Sequence, residues 1–380
     1  MKIAVFTPYN IFKPGGVQEH VEAQVQLLRK RGHDVTILTP RPRLKNEEDA
    51  PEGVVFLGAS ARINTPSATS ADVSISLDND AIDEELAKKY DVIHVHEPLV
   101  PIAARQILAR AEGHALRVGT FHAALPGNTF GKSLLATYKT YAKSVVPLVD
   151  EITAVTPAAI GYIETYANKP ITYIPNGINL KSYTPNKVER DKNMIVYINR
   201  LEKRKGPLQL LKAFKYLKSE LNPYATLKMC SDGPLREMLE AYVNENEIKD
   251  VEFLGYISDE QKVDLLSRCG VATYPALYGE SFGIVLVEAM AMGAPTVAHP
   301  NDGYKWVLTG TGRIGLVNCK DAEAYAHRLH LMQEDDGLRD LWQKWAKKHV
   351  QQYDYENIVD SYEKLYEANS FTDVKDSPID

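Results

Sequence analysis

Most of the functional information in this chain lies in Gly279-Glu280-Ser281-Phe282-Gly283-Ile284-Val285-Leu286-Val287-Glu288-Ala289-Met290. Nearly every residue from 281 to 295 is apolar or small, and Glu288 carries the single charge. Four positions of this region have the spacing of one face of a helix: Val285, Glu288, Ala289 and Met292. The pattern predicts a buried helix that contains a carboxylate. An unpaired buried carboxylate is costly, so Glu288 needs a partner such as protein donors or the hydroxyl groups of a ligand.

The turn before this predicted helix adds a second carboxylate, Glu280, and a set of free backbone amides. The first N–H groups of a helix have no partner within it, and here they run from about Phe282 to Val285. Such amides can donate hydrogen bonds to a phosphate, and a carboxylate on either side can accept hydrogen bonds from sugar hydroxyls. This combination indicates a sugar nucleotide as the ligand.

Glu280 and Glu288, within Gly-Glu-Ser-Phe-Gly-Ile-Val-Leu-Val-Glu-Ala-Met-Ala, resemble the signature of the retaining glycosyltransferases of family 4. Two glutamates at this spacing would also fit a core helix with one salt-bridged carboxylate. The surrounding residues and the downstream Gly293-Ala294-Pro295-Thr296-Val297 favour the family. The resemblance implies an α/β protein with the GT-B fold. In that fold two doubly wound, Rossmann-like domains face a central cleft, and a C-terminal helix crosses back to the first domain.

Length and composition agree with a two-domain globular protein. The chain has 380 residues, of which 44% are hydrophobic and 25% charged. The net charge of −6 argues against nucleic acid as a partner, because non-specific binding needs a basic surface. Cys230, Cys269 and Cys319 are far apart, which is typical of reduced core residues and not of a disulfide or zinc set.

The sequence also predicts where the protein works. The apolar run that follows Met1-Lys2 is too short for a signal peptide, and no uncharged segment reaches the ~20 residues that span a bilayer. We expect a cytoplasmic protein. Peripheral contact with the inner face of the membrane is left open.

Both halves alternate short apolar runs with helical patterns, which predicts parallel sheets. We expect an N-terminal acceptor domain over 1–178, completed by a helix at about 352–369, and a donor domain over 193–350. Residues 321–369 are predicted to be helical throughout. Predicted strands are Lys2–Thr7, Asp34–Thr39, Val54–Leu57, Asp91–His94, Leu116–Phe121, Glu151–Ala154, Ile171–Ile174, Met194–Ile198, Thr226–Met229, Val251–Phe253, Val271–Tyr274, Thr296–Ala298 and Gly315–Val317.

The loop after the first strand contains a glycine pair, Gly15-Gly16, that opens a helix. Such a pair occurs in simple strand-to-helix turns and where backbone approaches a phosphate. Together with Arg31-Gly32-His33-Asp34-Val35-Thr36, it resembles the N-terminal donor and acceptor loop of the family. The resemblance implies that Gly16 approaches the diphosphate and that Tyr9 and Gln18 face the acceptor. Arg62, from the region equivalent to a basic lipid-facing loop of the family, is a further predicted acceptor contact.

His122 ends the predicted strand Leu116–Phe121, at the edge where a cleft is expected. A histidine in this place is either a hydrogen-bonded structural residue or part of the site. The family resemblance places it beside the transferred sugar and the reaction centre, with its backbone carbonyl as one means of contact. His94 and His96 alternate along the preceding strand. Because no third ligand is evident, they are interpreted as structural or cleft-lining and not as metal ligands.

In the second half, Arg200 and Lys205 follow the first predicted strand and could neutralise a diphosphate, although an exposed basic loop explains them as well. The family resemblance favours the diphosphate, with Asn199 in place of the usual glycine. It also implies that Asp232 and Ile257 lie in donor-binding loops, the second of which reads the base through its backbone. The remaining predicted donor contacts are Ser281, Phe282, Gly283, Ile284 and Glu288.

Family membership implies transfer with retention by front-face attack, with His122, Arg200, Lys205 and Glu280 as the catalytic set. No metal and no cofactor is expected beyond the nucleotide-sugar donor. Asp78-Asn79-Asp80 matches a metal-binding Asp-x-Asp of another glycosyltransferase fold, but its acidic, polar setting favours a helix cap.

Within the family, the resemblance is closest to bacterial phosphatidylinositol mannosyltransferases, which implies GDP-mannose as donor and a membrane lipid as acceptor. The acidic residues among 78–85 depart from the basic surface of those enzymes. Lys132–Val149 interleaves lysines with apolar residues, which fits weak contact with anionic lipid or a core-facing helix with a solvated lysine face. The alternatives are UDP-glucose or another donor with a soluble sugar acceptor, a non-catalytic sugar-nucleotide binder, and a sugar-nucleotide epimerase.

Overall fold

A computed structural model of the chain describes residues 1–13, 15–42, 50–64, 70–74, 78–124, 139–161, 163–164 and 166–369. The chain forms two compact units. The first contains Met1–Asn176 together with the C-terminal helix from Tyr355, and the second contains Gly177–Asp354. The prediction places the first domain at 1–178 with a helix at about 352–369, and the second at 193–350; the segment between 178 and 193, predicted as a connection, falls in the second unit.

The first unit is built on an eight-stranded sheet with the order β4-β3-β2-β1-β5-β6-β7-β8. Every neighbouring pair is parallel except β3 and β4, which are antiparallel. The strands are β1 Lys2–Phe6, β2 Asp34–Arg41, β3 Val54–Asn64, β4 Ser70–Ser74, β5 Val92–His96, β6 Leu116–Phe121, β7 Glu151–Ala154 and β8 Ile171–Tyr173. Strand β4 was not predicted from the sequence, because its Ser-Ala-Asp-Val-Ser run has no apolar pattern.

Helices cover the sheet and complete the core of this unit. They are α1 Gly16–Lys30, α2 Asn79–Leu86, α3 Ala103–Arg110 and, at the end of the chain, α11 Tyr355–Asn369; residues 139–145 are also helical. The terminal helix joins the same apolar cluster as β1, β2 and α1 through Ile358, Val359, Tyr362 and Tyr366. The predicted return of this helix to the first domain is confirmed. Asp78 caps α2 by accepting a hydrogen bond from the Ala81 amide.

The second unit has a five-stranded parallel sheet with the order β11-β10-β9-β12-β13. Its strands are β9 Asp191–Ile198, β10 Thr226–Cys230, β11 Val251–Gly255, β12 Cys269–Tyr274 and β13 Thr296–Ala298. The helices are α4 Pro207–Tyr216, α5 Arg236–Glu245, α6 Asp259–Arg268, α7 Ile284–Ala291, α8 Tyr304–Val307, α9 Ala322–Glu334 and α10 Asp336–His349.

Two predictions for the second unit are wrong. The predicted strand Gly315–Val317 is a 3-10 turn over Gly310–Gly315 followed by one bridge between Leu316 and Ala298, so it is too short to form a ladder. The predicted continuous helix over 321–369 is interrupted by a cap at Asp335 and by the 3-10 turn Val350–Tyr353. The Asp335 carboxylate accepts a hydrogen bond from the Leu338 amide, and such capping side chains start a new helix.

Chain order reverses once in each sheet, beside β1 in the first unit and beside β9 in the second. In doubly wound sheets, ligands bind outside the carboxyl ends of the strands at such a point. The loops after β1 and β6 in the first unit, and those after β9 and β12 in the second, carry most of the predicted site residues. Among the described residues, no helix combines the length and the apolar character needed to cross a membrane.

Candidate functional site

In the second unit, Glu280 is the centre of a buried charge cluster. Its Oε1 atom lies 2.6 Å from Lys205 Nζ and 2.7 Å from Arg204 Nη1. Lys205 comes from the loop after β9 and Glu280 from the loop after β12, two strands that are neighbours in the sheet. The sequence therefore placed both residues in the right pair of loops, but it missed Arg204.

A second carboxylate, Glu202, completes the cluster. Arg204 Nε lies 2.6 Å from Glu202 Oε1, although the two groups are not aligned as a hydrogen bond. Burial lowers the pKa of Lys205 from its ordinary value, and the nearby Glu280 opposes that effect. Two carboxylates and two cations leave the cluster close to neutral. An added diphosphate would therefore need further positive groups or a rearrangement of these pairs.

Glu288 has the partners that its burial requires. Its Oε1 atom accepts hydrogen bonds from Tyr183 Oη at 2.5 Å and from Lys262 Nζ at 2.8 Å. Burial, followed by the charge of Glu288, raises the pKa of Tyr183, so this hydroxyl remains a donor. The predicted need for a partner is met by protein donors, and both of these hydrogen bonds fall on one oxygen of the carboxylate.

Helix α7 begins at Ile284 after a left-handed residue, Gly283, with φ of 101°. A Cβ atom at this position would lie 2.4 Å from the ring of Tyr304, so both backbone and space require glycine. The ring of Phe282 is buried and contacts the ring of Tyr353, which leaves only its backbone for a ligand. The first amides of α7 have no acceptor within the helix and lie next to Glu280 in the chain.

The other predicted donor residues lie around the same sheet edge. Arg200 is exposed in the loop after β9, outside the pairs formed by Lys205. Asp232 follows β10, where its carboxylate accepts a hydrogen bond from the Gly233 amide at 2.7 Å. Ile257 is half-buried in the loop after β11 and lines a cavity of about 450 Å³. Ser281 is half-buried at the turn before α7.

The predicted acceptor side lies in the first unit. Gly16 is exposed, and a Cβ atom added there would meet none of the described residues within 4 Å. Packing in the free chain does not require a glycine, so the space is open to a ligand. Gln18 is half-buried over Gly15, and Tyr9 forms a bridge with Val73 of β4. Arg62 lies in β3 opposite Asp72, and its side chain is outside the described residues.

His122 is buried at the end of β6, where its ring belongs to a hydrogen-bonded network. Its Nε2 atom lies 2.8 Å from His96 Nδ1, and its Nδ1 atom lies 3.2 Å from Asn176 Oδ1. His96 Nε2 contacts Gln24 Oε1, and Gln24 Nε2 in turn contacts His94 and Tyr366. His94 and His96 are fully buried, which supports the structural interpretation over the cleft-lining one.

A third histidine, His20, brings a possible ligand atom within 4.8 Å of those of His96 and His122. Both ring nitrogens of His20 are buried without a hydrogen-bond partner in the described part of the chain. Two nitrogens bound to one tetrahedral zinc lie about 3.3 Å apart, given Zn–N distances of about 2.0–2.1 Å. The 2.8 Å separation between His96 and His122 fits a direct hydrogen bond better.

Burial makes these rings neutral. Desolvation lowers the pKa of His122 to about 4 and that of His94 to about 3, and it lowers the pKa of His20 and His96 well below the usual range. A neutral imidazole has one N–H donor and one acceptor. The ring of His122 is therefore suited to a fixed orientation and poorly suited to carry positive charge at neutral pH.

The described part of the predicted lipid-facing segment covers 139–149. Val145, Val146 and Val149 are buried in the core, while Lys139 and Lys143 are exposed. This half of the segment corresponds to the alternative of a core-facing helix with a solvated lysine face. Residues 132–138 lie outside the described residues.

Comparisons with known proteins agree with this architecture. A family model described as glycosyltransferase family 4 matches residues 14–182, and one described as glycosyl transferases group 1 matches residues 182–349. The phosphatidyl-myo-inositol mannosyltransferase of Mycolicibacterium smegmatis is 29% identical over 387 residues, covering 99% of this chain and 96% of that protein.

Solved structures show the same fold. Sucrose-phosphate synthase from Thermosynechococcus elongatus has a TM-score of 0.74 at 21% identity, over 97% of this chain and 98% of that one. Anabaena HepE in complex with UDP and glucose has a TM-score of 0.70 at 18% identity, over 97% and 100%. The chain is therefore a glycosyltransferase of GT-B fold with a glycosyltransferase family 4 domain over residues 14–182 and a glycosyl transferases group 1 domain over residues 182–349, and it is similar to phosphatidyl-myo-inositol mannosyltransferases.

Proposed function

We propose that this protein is a retaining hexosyltransferase that transfers mannose from GDP-mannose to a membrane lipid of the phosphatidylinositol type. The observation that carries the proposal is the buried cluster of Glu280 with Lys205 and Arg204, located directly before the amides of α7. It combines an acceptor for sugar hydroxyls with donors for a diphosphate. The similarity to the mannosyltransferase of M. smegmatis over almost the whole chain supports the choice of donor and acceptor.

The proposed reaction proceeds by attack on the same face from which the diphosphate leaves. The acceptor hydroxyl oxygen bonds to the anomeric carbon while the bond from that carbon to the phosphate oxygen breaks. The hydroxyl proton passes to the leaving phosphate oxygen, which gives a glycosylated acceptor and a nucleoside diphosphate. Glu280 orients the sugar, Glu288 binds the ribose, and His122 lies beside the transferred sugar.

Charge on the leaving diphosphate is stabilised by Arg200, Lys205 and the first amides of α7. Lys205 is paired with Glu280 in the free chain, and Arg204 contacts the same carboxylate oxygen. Arg204 can therefore keep Glu280 paired when Lys205 turns towards the diphosphate. On this account the reaction uses no metal or redox cofactor, since protein cations and amides supply the positive charge.

A second candidate is transfer of glucose from UDP-glucose to a soluble sugar acceptor. Two observations favour it. Anabaena HepE, which shares the fold, is solved with UDP and glucose. In addition, Val145, Val146 and Val149 of the predicted lipid-facing segment are buried in the core, so these three side chains do not face a membrane in this conformation.

A thermal-shift panel of GDP-mannose, UDP-glucose and ADP-glucose tests the donor, because a ligand stabilises the folded state that binds it. GDP-mannose should give the largest shift, and product formation should then be followed with phosphatidylinositol vesicles and with soluble sugars. A larger shift with UDP-glucose, together with transfer to a soluble sugar, would establish the second candidate. Absence of any shift and of donor hydrolysis would refute both.

A further inference from the structure

The end of strand β5 contains a buried carboxylate that the proposed reaction does not use. Glu97 is 4% exposed, and no Lys or Arg of the described residues lies within ion-pair distance of it. Its φ of 52° is in the left-handed region, which is uncommon for a residue other than glycine. An unpaired buried charge and a strained backbone both raise the free energy of the folded state. Residues with such features cluster at functional sites.

The carboxylate of Glu97 binds the backbone on either side of the His122 α-carbon. Its Oε1 atom accepts hydrogen bonds from the His122 amide at 2.7 Å and from the Ala123 amide at 2.6 Å. The Glu97 amide also donates to the Thr120 carbonyl at 2.8 Å, which ties the ends of β5 and β6 together. The Glu97 side chain therefore fixes the backbone direction at His122 and Ala123, where the chain leaves strand β6.

These bonds fix the direction of a carbonyl group. The Ala123 N–H and the His122 C=O belong to one planar peptide unit, and the described chain contains no cis peptide. In a trans peptide the two groups point in opposite directions, so the His122 carbonyl points away from Glu97. Among the described residues, no donor forms a hydrogen bond with that carbonyl. The two bonds to Glu97 therefore hold this carbonyl in one direction, and its acceptor capacity is not used by any described residue.

We propose that Glu97 is a positioning residue, which aims the His122 carbonyl at a hydroxyl group of the transferred sugar. This inference rests on the proposed function, and it adds a residue that the sequence pattern alone did not single out. The ring of His122 is held separately by His96 and Asn176. Glu97 therefore acts on the backbone and leaves the ring contacts in place.

The test compares Glu97→Ala and Glu97→Gln with wild type in turnover and in binding. Loss of both bonds in Glu97→Ala should lower kcat by roughly 10²-fold, the scale for a small misplacement of a reacting group, with the donor KM changed less than about 3-fold. Glu97→Gln keeps an oxygen that can accept both amides and should retain kcat within about 5-fold. Glu97→Ala should also weaken binding of the sugar nucleotide more than binding of the nucleoside diphosphate, which lacks the sugar.

Glu85→Ala is the matched control, since Glu85 is a buried carboxylate of the same unit that binds Tyr90 and Lys88 far along the chain from His122. It should lower the melting temperature without changing kcat. If wild type is active and Glu97→Ala has the same kcat and binds the sugar nucleotide equally well, the role of Glu97 is refuted. The proposed function is not affected by that result. Equal loss of kcat in Glu97→Ala and Glu85→Ala would also refute the role of Glu97, because that result indicates general destabilisation. If wild type binds no nucleotide sugar, both the proposed function and the role of Glu97 are refuted.

Discussion

Replacement of Glu97 by glutamine should stabilise the first unit at high pH and leave it unchanged at low pH. Burial raises the pKa of Glu97 to about 7 from its ordinary value of 4.5, and hydrogen bonds from the His122 and Ala123 amides only partly oppose this effect. The folded state therefore binds a proton more tightly than the unfolded state. The stability that this proton provides is complete below about pH 4.5 and is lost as the pH rises through 7.

The size of the effect follows from the pKa. A displacement from 4.5 to about 7 corresponds to about 3 kcal/mol, at about 1.4 kcal/mol for each tenfold change in proton affinity. Glutamine has no charge to bury, so Glu97→Gln should be more stable than wild type by about 3 kcal/mol at pH 8. For a unit of this size, that difference raises the melting temperature by about 6–12 °C.

Differential scanning calorimetry at pH 4.5 and pH 8 measures this difference for the transition of the first unit. Glu84→Gln, an exposed carboxylate of the same unit, is the control and should shift the melting temperature by less than about 1 °C at both pH values. If Glu97→Gln melts within 1 °C of wild type at pH 8, Glu97 is not an ionised, unpaired buried group. That result would mean that burial does not raise the pKa of Glu97 in the folded protein.

Three further predictions concern the proposed site. Glu280→Gln and Glu288→Gln should fold and lose turnover by roughly 10²-fold or more, measured by nucleoside diphosphate release, and near-normal rates would remove them from the site. Lys205→Ala should cost roughly 10²-fold, and activity should survive EDTA; strict dependence on a divalent ion would contradict the metal-free mechanism. Wild type should co-sediment with anionic vesicles at low salt more than Lys139/Lys143→Glu does, and equal sedimentation of the two would exclude these lysines as a contact.

Much of the fold could be predicted from the sequence because its signals are local. Strands β6, β7 and β13 begin and end where alternating apolar runs begin and end. The errors occur where a longer-range contact decides the structure. Residues 321–369 keep a helical pattern across two breaks, and one capping carboxylate at Asp335 outweighs that pattern. Strand β4 forms only because β3 continues to Asn64 and pairs with it.

The site residues show the same difference between local signals, which the sequence reveals, and long-range contacts, which it does not. The sequence indicates that Glu288 needs a partner, since burial and charge can both be inferred from the residues around it. It does not indicate which residues, because Tyr183 and Lys262 are 105 and 26 positions away and only the folded sheet brings them close. Arg204 was missed for a different reason. Lys203, Arg204 and Lys205 are adjacent in the chain, and only the directions of their side chains decide that the last two contact Glu280.

The buried carboxylates of the two units are held in different ways, and this difference predicts opposite responses to the same substitution. Glu280 and Glu288 are paired with cations. Removing the charge of Glu280 leaves the buried Lys205 without its ion-pair partner, and removing that of Glu288 leaves the half-buried Lys262 paired only with the exposed Asp259, and both losses are costly. Among the described residues Glu97 is held by two backbone amides and no cation, so removing its charge relieves a cost and leaves no unpaired ion there. Glutamine should therefore destabilise the second unit at positions 280 and 288 and stabilise the first unit at position 97. A carboxylate kept at position 97 despite that cost is expected to serve the site and not the stability of the fold.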